Sequence, residues 1–157
     1  MKLSKILTAA SMGLAILPFT VHAQVCTGTP FTPTQIKTLL EGNLLCGRPG
    51  SGFTGNTADR WQEEHAVGGA LFDYKLGPAH PVDPREKVGT WFVGGSRVAP
   101  TVTHAYGPNT AYSWRIFGPA TNTPGAVYSF CNPTSAVQQV RAFVITSTTG
   151  CNGVFPP

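Results

Sequence analysis

The chain has 157 residues, 18 of them Gly and 14 Pro, with only 11% charged side chains and a net charge of +4, part of which comes from Lys2 and Lys5. Its seven acids all lie between Glu41 and Glu86, and beyond Val88 the charged residues are Arg97, Arg115 and Arg141, too dispersed to form a nucleic-acid-binding stripe. The length suits one domain and leaves no room for a second of ordinary size, and no later stretch approaches the roughly 20 apolar residues of a membrane helix.

Residues 1–23 carry the pattern of an export signal. Lys2 and Lys5 form the charged start, Ile6 to Phe19 the apolar middle, and Val21-His22-Ala23 the small-x-small cleavage site. The expected mature chain is a single domain over 24–157, periplasmic or extracellular, with no transmembrane segment. One helix is predicted next. Thr32 is suited to the N-cap, Pro33 to the first helical position, and Gln35 to closing a capping box. Ile36, Leu39 and Leu40 then make one apolar stripe, and Gly42-Asn43 ends it.

From Asn43 onward, short strands alternate with Gly, Pro and Asn punctuation. The expected strands are 43–46, 59–66, 70–76, 87–93, 97–106, 111–117, 126–131 and 136–147. Short links at Gly94-Gly95-Ser96 and Gly107 to Thr110 require antiparallel neighbours. The fold class is therefore all-β: a single antiparallel meander of about eight strands, forming a small barrel or strongly coiled sheet with one short N-terminal helix. Alternation sets Val98, Pro100, Val102, His104 and Tyr106 on one face, opposite Arg97, Thr101 and Thr103. Pro100 calls for an edge or a bulge.

Cys26, Cys46, Cys131 and Cys151 are an even set in an exported chain, hence a disulfide framework with three possible connectivities. Spacing favours Cys26 with Cys46 and Cys131 with Cys151, each closing a short loop for roughly 3 kcal/mol in the loop-entropy account. The terminal segment from Cys151 to Pro157 is expected to be exposed.

The densest polar cluster is Arg60-Trp61-Gln62-Glu63-Glu64-His65, followed after a Gly68-Gly69 turn by Leu71-Phe72-Asp73-Tyr74-Lys75. With a two- or four-residue loop, Trp61, Glu63 and His65 share the inner face with Phe72 and Tyr74, and these five form the candidate ligand-binding set. A three-residue loop reverses that parity. A carboxylate and an imidazole among aromatic rings are groups whose proton affinity burial shifts. A binding response as His65 titrates near pH 6.5 follows from this placement.

No catalytic set, cofactor motif or metal site is predicted. His65, His80, His104, Glu63, Glu64, Asp73 and Asp83 include metal-ligand types without a ligand spacing. His80 and Asp83 sit in a proline-rich loop that can also simply be stiff. A G-x-S-x-G elbow is lacking, and nothing selects a glycosidase carboxylate pair.

The tract Trp61-Gln62-Glu63-Glu64-His65, Asp73-Tyr74-Lys75-Leu76-Gly77-Pro78, Pro81-Val82-Asp83-Pro84 and Val88-Gly89-Thr90-Trp91, with Tyr128-Ser129-Phe130-Cys131 later, resembles small exported bacterial proteins of unknown function with a lipocalin-like β-barrel. Gly89-Thr90-Trp91 is similar to the lipocalin Gly-x-Trp, which there marks the first barrel strand and here falls mid-chain. The resemblance implies a fold more than a function. The expected role is an exported, non-enzymatic binding module for a small hydrophobic or amphipathic ligand or a partner protein, not nucleic acid. A secreted structural or filament subunit is the alternative, followed by a small hydrolase.

Overall fold

The structure is a computed structural model that describes residues 23–52, 60–74, 85–146 and 150–157. The expected export signal up to residue 22, the loop bearing His80 and Asp83, and the outer ends of three expected strands (59, 75–76 and 147) lie outside the described residues. The helix α1 spans Pro33–Leu40, and the strands are β1 Leu44–Pro49, β2 Trp61–His65, β3 Ala70–Asp73, β4 Glu86–Ser96, β5 Ala99–Ala105, β6 Ala111–Phe117, β7 Tyr128–Cys131 and β8 Gln138–Ile145. All eight pair antiparallel with their chain neighbours, and β8 returns to β1 to close a barrel.

The helix begins as its residues require. Thr32 caps it, the reciprocal capping box with Gln35 is present, and Ile36, Leu39 and Leu40 are buried. That stripe packs on Trp91, Val144 and the rest of the apolar core, so α1 closes one end of the barrel. The chain then passes Gly42, whose φ of 74° suits glycine, and enters β1. Leu45, Leu71, Val102, Ile116, Phe130, Val140, Ala142 and Val144 belong to the apolar core that fills the lumen.

Pro100 occupies the tip half of β5, paired with Gly95 of β4, whereas the β5–β6 ladder starts only at Val102. Its missing N–H therefore falls on a locally unpaired side, as the sequence required. The β4–β5 link is displaced from its expected place. Gly94, Gly95 and Ser96 stay in β4, Ser96 pairs with Ala99, and the turn is Arg97-Val98. Gly95 tolerates this because it adopts a φ of 77°.

The disulfides join Cys26 to Cys131 and Cys46 to Cys151, correcting the short-range pairing expected from spacing. Barrel closure supplies the reason. It brings β1 beside β8, with Cys46 opposite Phe143 on the outer surface. The C-terminal segment then lies over Leu44, Cys46, Phe143 and Ile145. The N-terminal arm instead meets the β7–β8 turn, where the Cys26 amide donates to Ala136 O at 2.8 Å. The C-terminal segment is docked in part, with Asn152, Gly153, Val154 and Pro157 exposed and the rest held on the barrel. Cys151 and Pro156 are buried, Arg48 Nη1 donates to Pro156 O at 3.1 Å, and the Arg60 guanidinium lies over the Phe155 ring.

Candidate functional site

The β2–β3 turn settles which side chains enter the lumen. His65 pairs with Leu71, Glu64 with Phe72 and Glu63 with Asp73, while the Ala66 amide donates to Ala70 O. Val67, Gly68 and Gly69 therefore make a three-residue loop, and both glycines take positive φ. Cross-strand partners share a face. Trp61, Glu63 and His65 thus point inward with Leu71 and Asp73, while Glu64, Phe72 and Tyr74 point outward.

This corrects the expected set: Phe72 and Tyr74 do not join Trp61, Glu63 and His65. They build an outer cluster instead. Arg85 grips the Glu64 carboxylate with two hydrogen bonds of 2.5 and 2.7 Å, Tyr74 donates to it at 2.8 Å, and the guanidinium lies 3.4 Å from the Phe72 ring centroid. The Arg85 contact holds Glu64 below the usual carboxylate range. Burial, with the Glu64 hydrogen bond second, pushes the Tyr74 hydroxyl up to about 12.

Inside, a polar chain crosses the lumen between β2 and β5. Glu63, His104 and His65 are 5%, 1% and 0% exposed. His104 Nδ1 lies 3.1 Å from Glu63 Oε2, and its Nε2 lies 2.9 Å from His65 Nε2. Tyr106 donates its hydroxyl to Glu63 Oε1. The carboxylate only accepts, so His104 carries a proton on Nδ1; in the neutral ring its Nε2 accepts from His65. His65 Nδ1 is then a buried lone pair that makes no hydrogen bond among the described residues.

Backbone bonds next to the helix hold His65 in place. Gly42 N donates to His65 O at 2.7 Å and His65 N to Asn43 O at 3.0 Å. Trp91 packs edge-on against its ring, with the centroids 5.2 Å apart, and anchors its own indole N–H on Ala66 O at 3.0 Å.

Around His104 the rings continue toward the far end. Trp114 lies 5.0 Å from His104, Tyr112 stacks on Trp114 with 19° between planes, and Tyr106 lies 6.0 Å from Tyr112. Tyr112 is the cross-strand partner of His104, so it faces the lumen. It is nonetheless 54% exposed, which marks solvent access at the end opposite α1. A register shift between Phe130 and Cys131 brings Gln139 within 3.0 Å of the Trp114 indole N–H, which it accepts. His104 and Tyr106 were legible as inward residues of their strand, but they stand far from Glu63 in sequence, and only closure brings them to it.

Burial first, and then the neighbouring His104, lowers the proton affinity of His65 well below its ordinary 6.5. A switch near pH 6.5 from this residue is therefore overturned. The stability consequence has a definite sign. The unfolded chain protonates residue 65 near pH 6.5, while the folded chain holds it neutral. Its contribution is full above that pH and falls below it by up to about 1.4 kcal/mol per pH unit until the depressed folded value is reached. Urea unfolding between pH 7 and pH 5 is expected to show His65→Gln losing less stability on acidification than the parent. Parallel profiles would mean that His65 is hydrated.

Comparison with protein-family models, with curated proteins and with solved structures yields no match to this chain.

Proposed function

We propose that the protein is an exported, non-enzymatic binding module that takes a small hydrophobic or amphipathic ligand at the end of the barrel opposite α1. The observation that carries this reading is Tyr112, an inward-facing ring that remains 54% exposed and stacks on Trp114. An eight-stranded barrel has room for its own side chains or for one small ligand. Here the lumen is packed with aliphatic and aromatic side chains, so the ligand sits shallowly against Tyr106, Tyr112 and Trp114.

Of the residues expected from sequence, Glu63 contributes through Tyr106, Trp61 lies toward the same end, and His65 lies beneath the ligand. The outer Phe72 and Tyr74 take no part. Export is supported by the signal pattern, and two disulfides fit a compartment outside the reducing cytoplasm. No helix among the described residues is long and apolar enough to cross a membrane. Outward Glu64, Lys87, Arg115 and Arg141 do not make the apolar belt of a lipid-facing barrel. The structural-subunit alternative gains nothing from strand addition, since β1 and β8 pair with each other and offer no template.

The neutral fluorophore N-phenyl-1-naphthylamine tests the reading. Saturable probe enhancement with tryptophan quenching is expected, weakened about fivefold or more in Tyr112→Ala. No saturable binding, or binding indifferent to Tyr112, would overturn it.

A further inference from the structure

We infer that the outer wall of the barrel carries a second binding site, for the phosphate group of a small hydroxylated ester, in the cleft between the N-terminal arm and the β6–β7 surface, with Arg115 and Arg141 holding the anion. This site is separate from the barrel mouth and does not depend on it.

The cleft measures about 190 Å³ and lies between residues 24–27 and a wall that includes Phe117, Gly118 and Ser129. The Cys26–Cys131 disulfide anchors the arm there. Cross-strand pairing sets arginines around it. Phe117 pairs with Ser129, Ser129 with Arg141 and Arg141 with Arg48, so one outward row runs across four strands. Arg115 pairs with Cys131 beside the disulfide, and its guanidinium lies 5.6 Å from the Phe117 ring centroid. Arginines spread along the sequence are thus gathered on one wall by closure.

No acid belongs to the strands of that wall. All seven lie between Glu41 and Glu86, whereas β1 and β5 to β8 contain none. Arg115 and Arg141 enter no salt bridge among the described residues. Arg48 and Arg141 stand directly opposite each other, a pairing of like charges that disfavours the sheet until an anion offsets it. Hydrogen-bonding capacity is also unspent. Arg115 Nε is buried and has no acceptor among the described residues. Gln138, 3% exposed, donates from Nε2 to Ser129 Oγ at 2.6 Å, which leaves the Ser129 hydroxyl proton to donate in turn. Gln138 Oε1 has no donor among the described residues.

A buried donor without an acceptor is costly, and an oxyanion removes that cost. A phosphate monoester carries about −1.5 to −2 charges at pH 7 and three acceptor oxygens, so it answers two guanidinium groups better than the single charge of a carboxylate. Hydroxyl groups on its carrier are the donors that Gln138 Oε1 lacks.

The decisive comparison is between sn-glycerol 3-phosphate and glycerol, which share a skeleton and differ in the anion. Each is titrated at constant ionic strength into the uniformly 15N-labelled exported protein, following the Phe117, Gly118 and Ser129 amides and the Arg115 Nε–H. The ester is expected to shift these signals saturably and to bind about tenfold or more tighter than glycerol. Arg115→Gln and Arg141→Gln should each weaken it about fivefold or more, and Arg141, half-buried on the surface, carries the test if the Arg115 variant fails to fold. Lys37→Gln, on exposed α1, should leave the affinity unchanged.

Equal affinity for ester and alcohol, no binding of the ester, or equal weakening by Lys37→Gln and Arg141→Gln would overturn the inference. Co-sedimentation with phosphatidic acid vesicles in the absence of ester binding would overturn it too, because the phosphate would then belong to a lipid headgroup. The barrel mouth stands or falls separately, on the naphthylamine titration.

Discussion

Replacing His104 by leucine is expected to destabilise the protein by about 3 kcal/mol or more in urea unfolding, one of the two largest effects of any change considered. His104 is the middle of the chain that crosses the lumen, contacting Glu63 Oε2 at 3.1 Å and His65 Nε2 at 2.9 Å. Its loss leaves a carboxylate that is 5% exposed with the Tyr106 hydroxyl still donating to it, and leaves Nε2 of His65 without its partner on His104. The double change Glu63→Leu with His104→Leu should recover part of the loss, because removing both halves of a buried polar pair abolishes the desolvated charge. Simple additivity of the two single changes would contradict a coupled chain.

Replacing Cys46 and Cys151 together by alanine should cost about 2 to 5 kcal/mol and release the C-terminal segment. The partners are 105 residues apart, and a loop of that order confers roughly 4.7 kcal/mol in the entropic account. The bond also holds a cluster in place. Leu44, Phe143 and Ile145 of the outer wall are covered by Phe155 and its neighbours, and the Cys151 amide donates to the buried Gln62 side chain. Thermal melting, together with proteolysis of the segment beyond residue 150, measures the loss. An unchanged melting temperature with a protected terminus would show that packing alone holds the segment.

Most of the fold was legible because side chains alternate between the lumen and the outer surface along the strands, even where, as in β1, the C-terminal segment covers the outer face. Alternation in the stretch from Arg97 to Tyr106 marked Val102 and His104 as inward, and both are buried. Thr32, Pro33 and Gln35 likewise announced the start of α1, since capping is local chemistry. What the sequence hid was of two kinds. Turn length at Val67-Gly68-Gly69 decides the face of every residue in β3, and the same glycines suit two-, three- or four-residue loops. A one-residue difference therefore sent Phe72 and Tyr74 outward and Leu71 inward. Contacts that depend on closure were also invisible. Twenty residues separate Cys26 from Cys46, yet their partners are Cys131 and Cys151, because the closed barrel brings its two terminal segments to distant strands. The lumen chain follows the same pattern, with Glu63 on β2 and His104 on β5, two strands lying between them, meeting across the lumen.

The most direct measurement of the central claim, a ligand mouth at Tyr112 and Trp114, is the two-dimensional NMR titration of uniformly 15N-labelled protein with N-phenyl-1-naphthylamine. The expected result is a saturable shift of the Trp114 indole N–H and of the β5–β6 amides, while the Trp91 indole, fixed on Ala66 O behind His65, stays in place. Shifts confined instead to the surface groove of about 380 Å³ beside α1, lined by Lys37, Thr38, Glu41 and Val93, would contradict it.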